Sequence, residues 1–208
     1  MKLAGTLKGI RAIVFDVGET LVDENRMWSE HANQAGISPL VLFAKLGSLI
    51  ERGEDHRLIW SELGVGAPES GVQIERSDLY PDALACLEKA RASGRIVGIA
   101  GNQPAGLEAQ LRVLGFTADF IAASREWGVS KPSKEFFTRV IAATGVSASE
   151  ILYVGDRLDN DILPAKSVGM RTAFLVRGPW AHIQARWAAA ESSDLRLDSL
   201  GQLKNALT

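Results

Sequence analysis

Four short apolar runs recur along this chain, most of them breaking off at Gly, Asp or Asn: Ala12-Ile13-Val14-Phe15-Asp16, Ile96-Val97-Gly98-Ile99-Ala100, Ile151-Leu152-Tyr153-Val154-Gly155 and Thr172-Ala173-Phe174-Leu175-Val176. They are continuous rather than alternating, the pattern of strands covered on both faces, which is the mark of a parallel sheet. Asp119-Phe120-Ile121-Ala122 reads as a weaker strand. Helical patterns lie between the runs. Pro81 opens a first turn that leads Leu84, Leu87 and Ala90 to a stop at Gly94. Leu107, Leu111 and Leu114 run to Gly115. Ser133 is placed to cap a helix carrying Phe136, Phe137, Val140 and Ile141, which ends at Gly145; Ser before a helix and Gly after it follow the usual capping asymmetry. Strands alternating with helices predict an α/β fold, a Rossmann-like doubly wound parallel sheet with right-handed crossovers.

Residues 23–78 depart from this rhythm. Met27, Trp28, Leu40, Leu42, Phe43, Leu46, Leu49, Ile50, Leu58, Ile59 and Leu63 recur at helical spacing. We read a small all-helical insertion, with residues 64–71 as its loop-rich exit. The expected division is a core of residues 1–22 and 79–208 and an insertion of residues 23–78.

Composition narrows the function. Lys and Arg number 23 against 25 acidic residues, a net charge of −2. That balance lacks the basic excess of nucleic-acid or anionic-membrane binders. No apolar stretch is long enough to span a bilayer, and residues 1–5 carry no signal-type run. The single cysteine, Cys86, sits in an apolar helix and reads as a core residue. A cytoplasmic location is expected, as monomer or homodimer.

Chemistry is expected at the carboxyl ends of the strands, where open α/β sheets bind ligands. The first strand delivers Asp16, the second Gly101-Asn102-Gln103, and the third Gly155-Asp156 followed by Asp159 and Asp161. Two groups of carboxylates converging on one edge would repel each other without a hard cation between them. Magnesium, which favours oxygen ligands, is the natural occupant. The bland reading, in which each Asp caps the next helix, suits one strand end better than Asp16, Asp156 and Asp161 together with Lys131-Pro132.

These residues carry a resemblance. Phe15-Asp16-Val17-Gly18-Glu19-Thr20-Leu21 resembles the first motif of the haloacid dehalogenase superfamily, a strand ending in Asp-x-Asp-x-Thr. Val129-Ser130-Lys131-Pro132 with Phe136 is similar to its third motif, and the segment from Tyr153 through Asp161 to Gly169-Met170 to its fourth. The resemblance implies a subfamily I hydrolase, whose helical cap follows the first motif. It implies a magnesium-dependent phosphatase acting on a small phosphorylated substrate through an aspartyl-phosphate. Asp16 would be the nucleophile, Thr20 would hydrogen-bond near its carboxylate, and Lys131 would offset charge and help hold phosphate. Magnesium would be held by Asp16, the Gly18 carbonyl, Asp156 and Asp161, the last as ligand or as acceptor behind the ligands. Asn160 would buttress that loop.

The chain departs from the pattern twice. Gly18 stands where the family's phosphatases carry a second Asp as acid and base, and adjacent Glu19 is the one local substitute. Gly101 stands where the second motif has Ser or Thr, which leaves the backbone amides of Gly101 and Asn102 to cradle phosphate. The alternatives are a metal-independent 2-haloacid dehalogenase-type hydrolase and a catalytically weak, phosphate-binding regulatory protein. A phosphonate hydrolase would need a lysine in the insertion, where Lys45 reads as a surface residue. His31, His56 and His182 are dispersed and read as non-catalytic. Arg26, Trp28 and His31 follow the first motif closely enough to line the pocket. Trp60, Trp127, Trp180 and Trp187 read as core or partner-contact residues, with Trp180 and Trp187 on one late helix.

Overall fold

The computed structural model describes residues 5, 7–68 and 71–207. Residues 1–4, where no signal-type run is read, lie outside the described residues, as do Glu69 and Ser70 of the 64–71 exit. Six strands form one all-parallel sheet: β1 (Ala12–Phe15), β2 (Ile96–Gly101), β3 (Phe120–Ala123), β4 (Ile151–Gly155), β5 (Arg171–Leu175) and β6 (Leu195–Leu197), in the order β3-β2-β1-β4-β5-β6. The doubly wound expectation holds. The strand order reverses beside β1, where crevices open in such sheets.

Successive strand residues point to opposite faces, and each face has its own core. Ile13, Phe15, Val97, Ile99, Leu152 and Val154 face α4 (Ala83–Ala92), α5 (Leu107–Val113) and α10 (Leu200–Ala206). Ala12, Val14, Ile151 and Tyr153 face α7 (Lys134–Thr144) and α8 (Leu163–Ser167). The α7 helix forms as its sequence predicts. The Ser133 hydroxyl accepts from the Glu135 amide at 3.2 Å, and Gly145 closes the helix in the left-handed region at φ 66°. Phe136 and Phe137 are fully buried, each contributing about 1.5–3 kcal/mol by leaving water. Cys86 is buried as expected, and burial pushes its thiol up to about 12.

Between β1 and β2 the chain forms α1 (Asn25–Gln34), α2 (Pro39–Glu51) and the short α3 (Ile59–Glu62). Their buried faces, Trp28, Ala32, Leu42, Leu46, Leu49, Ile50 and Ile59, join a cluster with Trp180 of α9 (Gly178–Gln184). The outgoing and returning chain are tied where they cross. Asp23 donates its amide to the Asp78 carbonyl at 2.8 Å, Tyr80 to Leu21 at 3.0 Å, and Arg26 pairs with Asp78 at 2.6 Å. Arg26 is therefore a strut at the crossing rather than a pocket residue.

Two details differ from expectation. The α9 helix ends at Gln184, so Trp187 lies beyond it. The α6 helix (Ser124–Trp127) and strand β6 were not read from the sequence: each is too short to show a period. No described helix is long and apolar enough to cross a membrane.

Candidate active site

The sheet's register builds the site. Phe15 lies level with Ile99 on one side and Val154 on the other, so Asp16, Gly101 and Asp156 emerge along a single edge. The loop between α6 and α7 brings Lys131 across to them. Its ammonium, 1% exposed, lies 2.6 Å from Asp16 Oδ1 and 2.6 Å from Asp161 Oδ1. Asn102 fixes that loop: its Oδ1 accepts from the Lys131 amide at 2.8 Å and its Nδ2 donates to the Lys131 carbonyl at 2.9 Å. The Asn102 side chain is thus spent on placing Lys131, which leaves only its backbone for phosphate.

Glycines permit this crowding. A Cβ on Gly101 would stand 2.6 Å from Asp16 Oδ1, and one on Gly155 2.6 Å from Asp161 Cβ. Real Cβ atoms do not approach so closely, so a Ser or Thr at 101 and the observed Asp16 carboxylate position are incompatible.

The charges do not balance. Candidate ligand oxygens of Asp16, Asp156 and Asp161 all lie within 4.8 Å of one another, and among the described residues the only cation paired with them is Lys131. Burial alone would lower Lys131, but Asp16 and Asp161 outweigh it and hold its ammonium well above the usual range. Burial, reinforced by the charges of Asp161 and Asp16, pushes the Asp156 carboxyl well up. Asp156 Oδ2 is buried and has no hydrogen-bonding partner among the described residues. An orphaned carboxylate oxygen in an over-acidic pocket is what a divalent cation would satisfy. Asp161 is placed differently: Oδ1 accepts from Lys131 and Oδ2 from the Arg157 amide at 3.0 Å. Both of its oxygens already have donors, which suits the acceptor role behind the ligands.

The expected bond from Thr20 is not made. Its hydroxyl is buried without a partner among the described residues, while its carbonyl accepts from Arg177 Nη1 at 3.0 Å. Arg177 also pairs with Asp82 at 2.8 Å and stacks on Tyr80, so this residue, just before α9, is a brace. Lys45 pairs with Glu62 at 2.7 Å, in keeping with a surface role.

Glu19 is likewise engaged. Tyr80 donates its hydroxyl to Oε2 at 2.6 Å, and the Glu24 amide donates to Oε1 at 3.1 Å. Glu24, absent from the sequence expectations, reaches into the space beside Gly18: a Cβ there would overlap the Glu24 carboxyl, with Cδ only 2.6 Å away. Trp28 Nε1 donates to its Oε2 at 3.4 Å. Burial first, then the charges of Glu19 and Asp16, push this carboxyl up to about 8.

Above the carboxylates is a cavity of about 380 Å³ lined by Asp16, Gly18, Glu24, Trp28, Asp156 and Asn160 among others. Its roof includes His31, His56, Arg57, Trp60 and Trp180. The Trp28 and His31 expectations thus hold, but His56, Trp60 and Trp180 take a pocket role the sequence did not reveal. Their positions belong to a turn, α3 and α9, elements that meet only in the fold. The ring centroids of His56 and Trp180 lie 5.5 Å apart, edge to face, and the Arg157 guanidinium lies 4.7 Å over Trp180.

Comparison with known proteins adds an independent line. Residues 10–169 match the family model for haloacid dehalogenase-like hydrolases. Glyceraldehyde 3-phosphate phosphatase of Methanocaldococcus jannaschii is 39% identical over 85 residues, which cover 41% of this chain and 36% of that protein, so this match spans well under half of either. Ribulose-1,5-bisphosphate 5-phosphatase of Halopiger xanaduensis is 31% identical over 166 residues, covering 71% of this chain and 69% of that one. Among solved structures, L-2-haloacid dehalogenase from Xanthobacter autotrophicus superposes with a TM-score of 0.69 at 20% identity, over 94% of this chain and 97% of its own. That likeness concerns the fold.

Proposed function

The chain belongs to the haloacid dehalogenase-like hydrolases, and from that premise we propose that it is a magnesium-dependent phosphatase acting on a small phosphorylated metabolite through an aspartyl-phosphate on Asp16. The observation that carries this reading is the charge imbalance of the site: three buried carboxylates, one ammonium and an orphaned Asp156 oxygen. A metal-independent dehalogenase would have to bring a carboxylate substrate into that surplus of negative charge. A phosphoryl group arriving with a divalent cation relieves it.

In this reading Asp16, the Gly18 carbonyl and Asp156 hold the ion, which supplies positive charge to the phosphoryl oxygens when bound. Lys131 holds one Asp16 oxygen and, at its distance from Asp161, stays protonated to meet the transferring phosphoryl group. Asp16 attacks phosphorus; a bond forms from its carboxylate oxygen as the bond to the leaving oxygen breaks, and the alcohol departs with a proton. Water then cleaves the acyl phosphate, releasing inorganic phosphate and restoring Asp16. The α1–α3 insertion roofs the cavity and acts as a cap that excludes water. The phosphatase names of the relatives support this reaction class, and a cavity of about 380 Å³ is sized for a small monoester.

The test is hydrolysis of p-nitrophenyl phosphate with magnesium or with EDTA, beside Asp16→Asn. Turnover that needs magnesium and vanishes in the variant supports the proposal. Turnover that survives in Asp16→Asn would refute it, as would release of halide from a 2-haloacid without metal.

A further inference from the structure

We propose that Glu24 is the catalytic acid and base of this site, occupying from the residue before α1 the position that Gly18 leaves open beside Asp16. The inference rests on the phosphotransfer reading above and supplies the proton carrier that reading lacks.

Its basis is geometric. Gly18 follows Asp16 by two residues and carries no side chain, yet the space its Cβ would fill is taken: the Glu24 carboxyl lies there, with Cδ 2.6 Å from the ideal Cβ position. The same carboxyl lines the cavity together with Asp16 and Asp156. It is held in place from both ends. The Glu24 amide donates to Glu19 Oε1 at 3.1 Å, Glu19 is itself held by Tyr80 at 2.6 Å, and Trp28 Nε1 reaches the Glu24 carboxylate at 3.4 Å. Glu19 could not serve instead, because both its oxygens are committed to donors. Glycine at 18 is thus the complement of a longer acid arriving from six residues downstream.

The proton balance is straightforward. As the bond from phosphorus to the leaving oxygen breaks and that from Asp16 forms, the Glu24 carboxyl passes its proton to the departing alkoxide. The resulting Glu24 carboxylate then takes a proton from the water whose oxygen bonds to phosphorus, as the bond to Asp16 breaks. Asp16 and the protonated Glu24 are both regenerated.

The experiment compares wild type and Glu24→Gln on p-nitrophenyl phosphate, whose leaving group departs without a proton, and on glycerol 3-phosphate, whose leaving group needs one. For the variant, kcat/KM on the alkyl ester is expected to fall by about 10²–10⁴-fold. On the aryl ester kcat/KM, which reports only the transfer to Asp16, is expected to fall less than about tenfold. Steady-state turnover then lags behind a burst of p-nitrophenolate, because water lacks its base. A second variant guards against a purely structural effect: Gly18→Asp introduced into Glu24→Ala is expected to recover at least about tenfold of the alkyl activity that Glu24→Ala loses. Equal losses on both esters, no loss, or no burst and no recovery would overturn the assignment of Glu24 alone. A wild type inert toward both esters would overturn the phosphatase reading, and Glu24's role with it.

Discussion

Gly101 and Gly155 stand where two strands end, and at each the missing Cβ is the space a carboxylate uses. Restoring the family's hydroxyl by Gly101→Ser should therefore harm rather than help. Its Cβ would press on Asp16 Oδ1 from 2.6 Å, and displacing a nucleophile by a fraction of an ångström costs about 10–100-fold in kcat/KM. Any gain in rate from Gly101→Ser would sink this account. Gly155→Ala should act on stability as well, since Asp161 Cγ lies 2.5 Å from the new methyl. Pushing Asp161 from Lys131 breaks a buried ion pair, a loss of about 3–5 kcal/mol, and should lower Tm by roughly 6–20 °C in a chain of this size; an unchanged melting curve would count against it. The strand-end acids and Lys131 could be read from the sequence because they follow apolar runs or stand in short contiguous motifs. Glu24 could not: nothing in its local spacing marks it, and only the turn from Gly18 to α1 brings it back to Asp16.

The elements that roof the cavity meet at Trp180. Helix α1 packs against it through Trp28, the apolar face of α2 joins the same cluster, and His56 sets its ring edge on it. Burial first, then the Arg157 charge, brings His56 down from 6.5 to about 4. Between those values the unfolded chain binds a proton that the folded chain refuses, so stability falls as pH drops through 6.5 towards 4. From pH 7 to pH 5 the loss attributable to His56 should be about 1–2 kcal/mol. Urea unfolding at both pH values would show it as a smaller pH dependence in His56→Gln; parallel behaviour of wild type and variant would exclude it. Trp180→Ala should cost about 3–5 kcal/mol and, since Trp180 also lines the cavity, should raise KM. Long amphipathic helices such as α2 and α7 and the five longer strands were legible from period and stop signals. The cavity roof was not, because His56 lies on a short turn and Trp60 on the single-turn α3, and the ring that His56 meets, Trp180, comes from α9, more than a hundred residues away in the chain.

For the whole molecule, the acidic edge sets stability against function. Without a cation, Asp156 keeps a buried oxygen unpartnered, and its carboxyl is held well above its ordinary range by burial and by Asp161 and Asp16. A group whose folded value is raised costs stability once the pH exceeds its unfolded value, so at neutral pH Asp156 works against the fold. Asp156→Asn removes that cost and should melt above wild type in EDTA. Magnesium reverses the order. Binding only the folded wild type, it adds about 2.7 kcal/mol at a hundredfold excess over Kd, or roughly 5–11 °C in Tm for a chain of this size. The variant, lacking a charged ligand, should gain little of this. The pair of melts separates the possibilities without any substrate. An equal magnesium increment in both proteins would mean that Asp156 does not hold the ion. A variant no more stable than wild type in EDTA would mean that its orphaned oxygen costs the fold nothing. The crossing of the two orders is expected if these carboxylates are kept together for the cation they bind, at a cost to the fold in its absence.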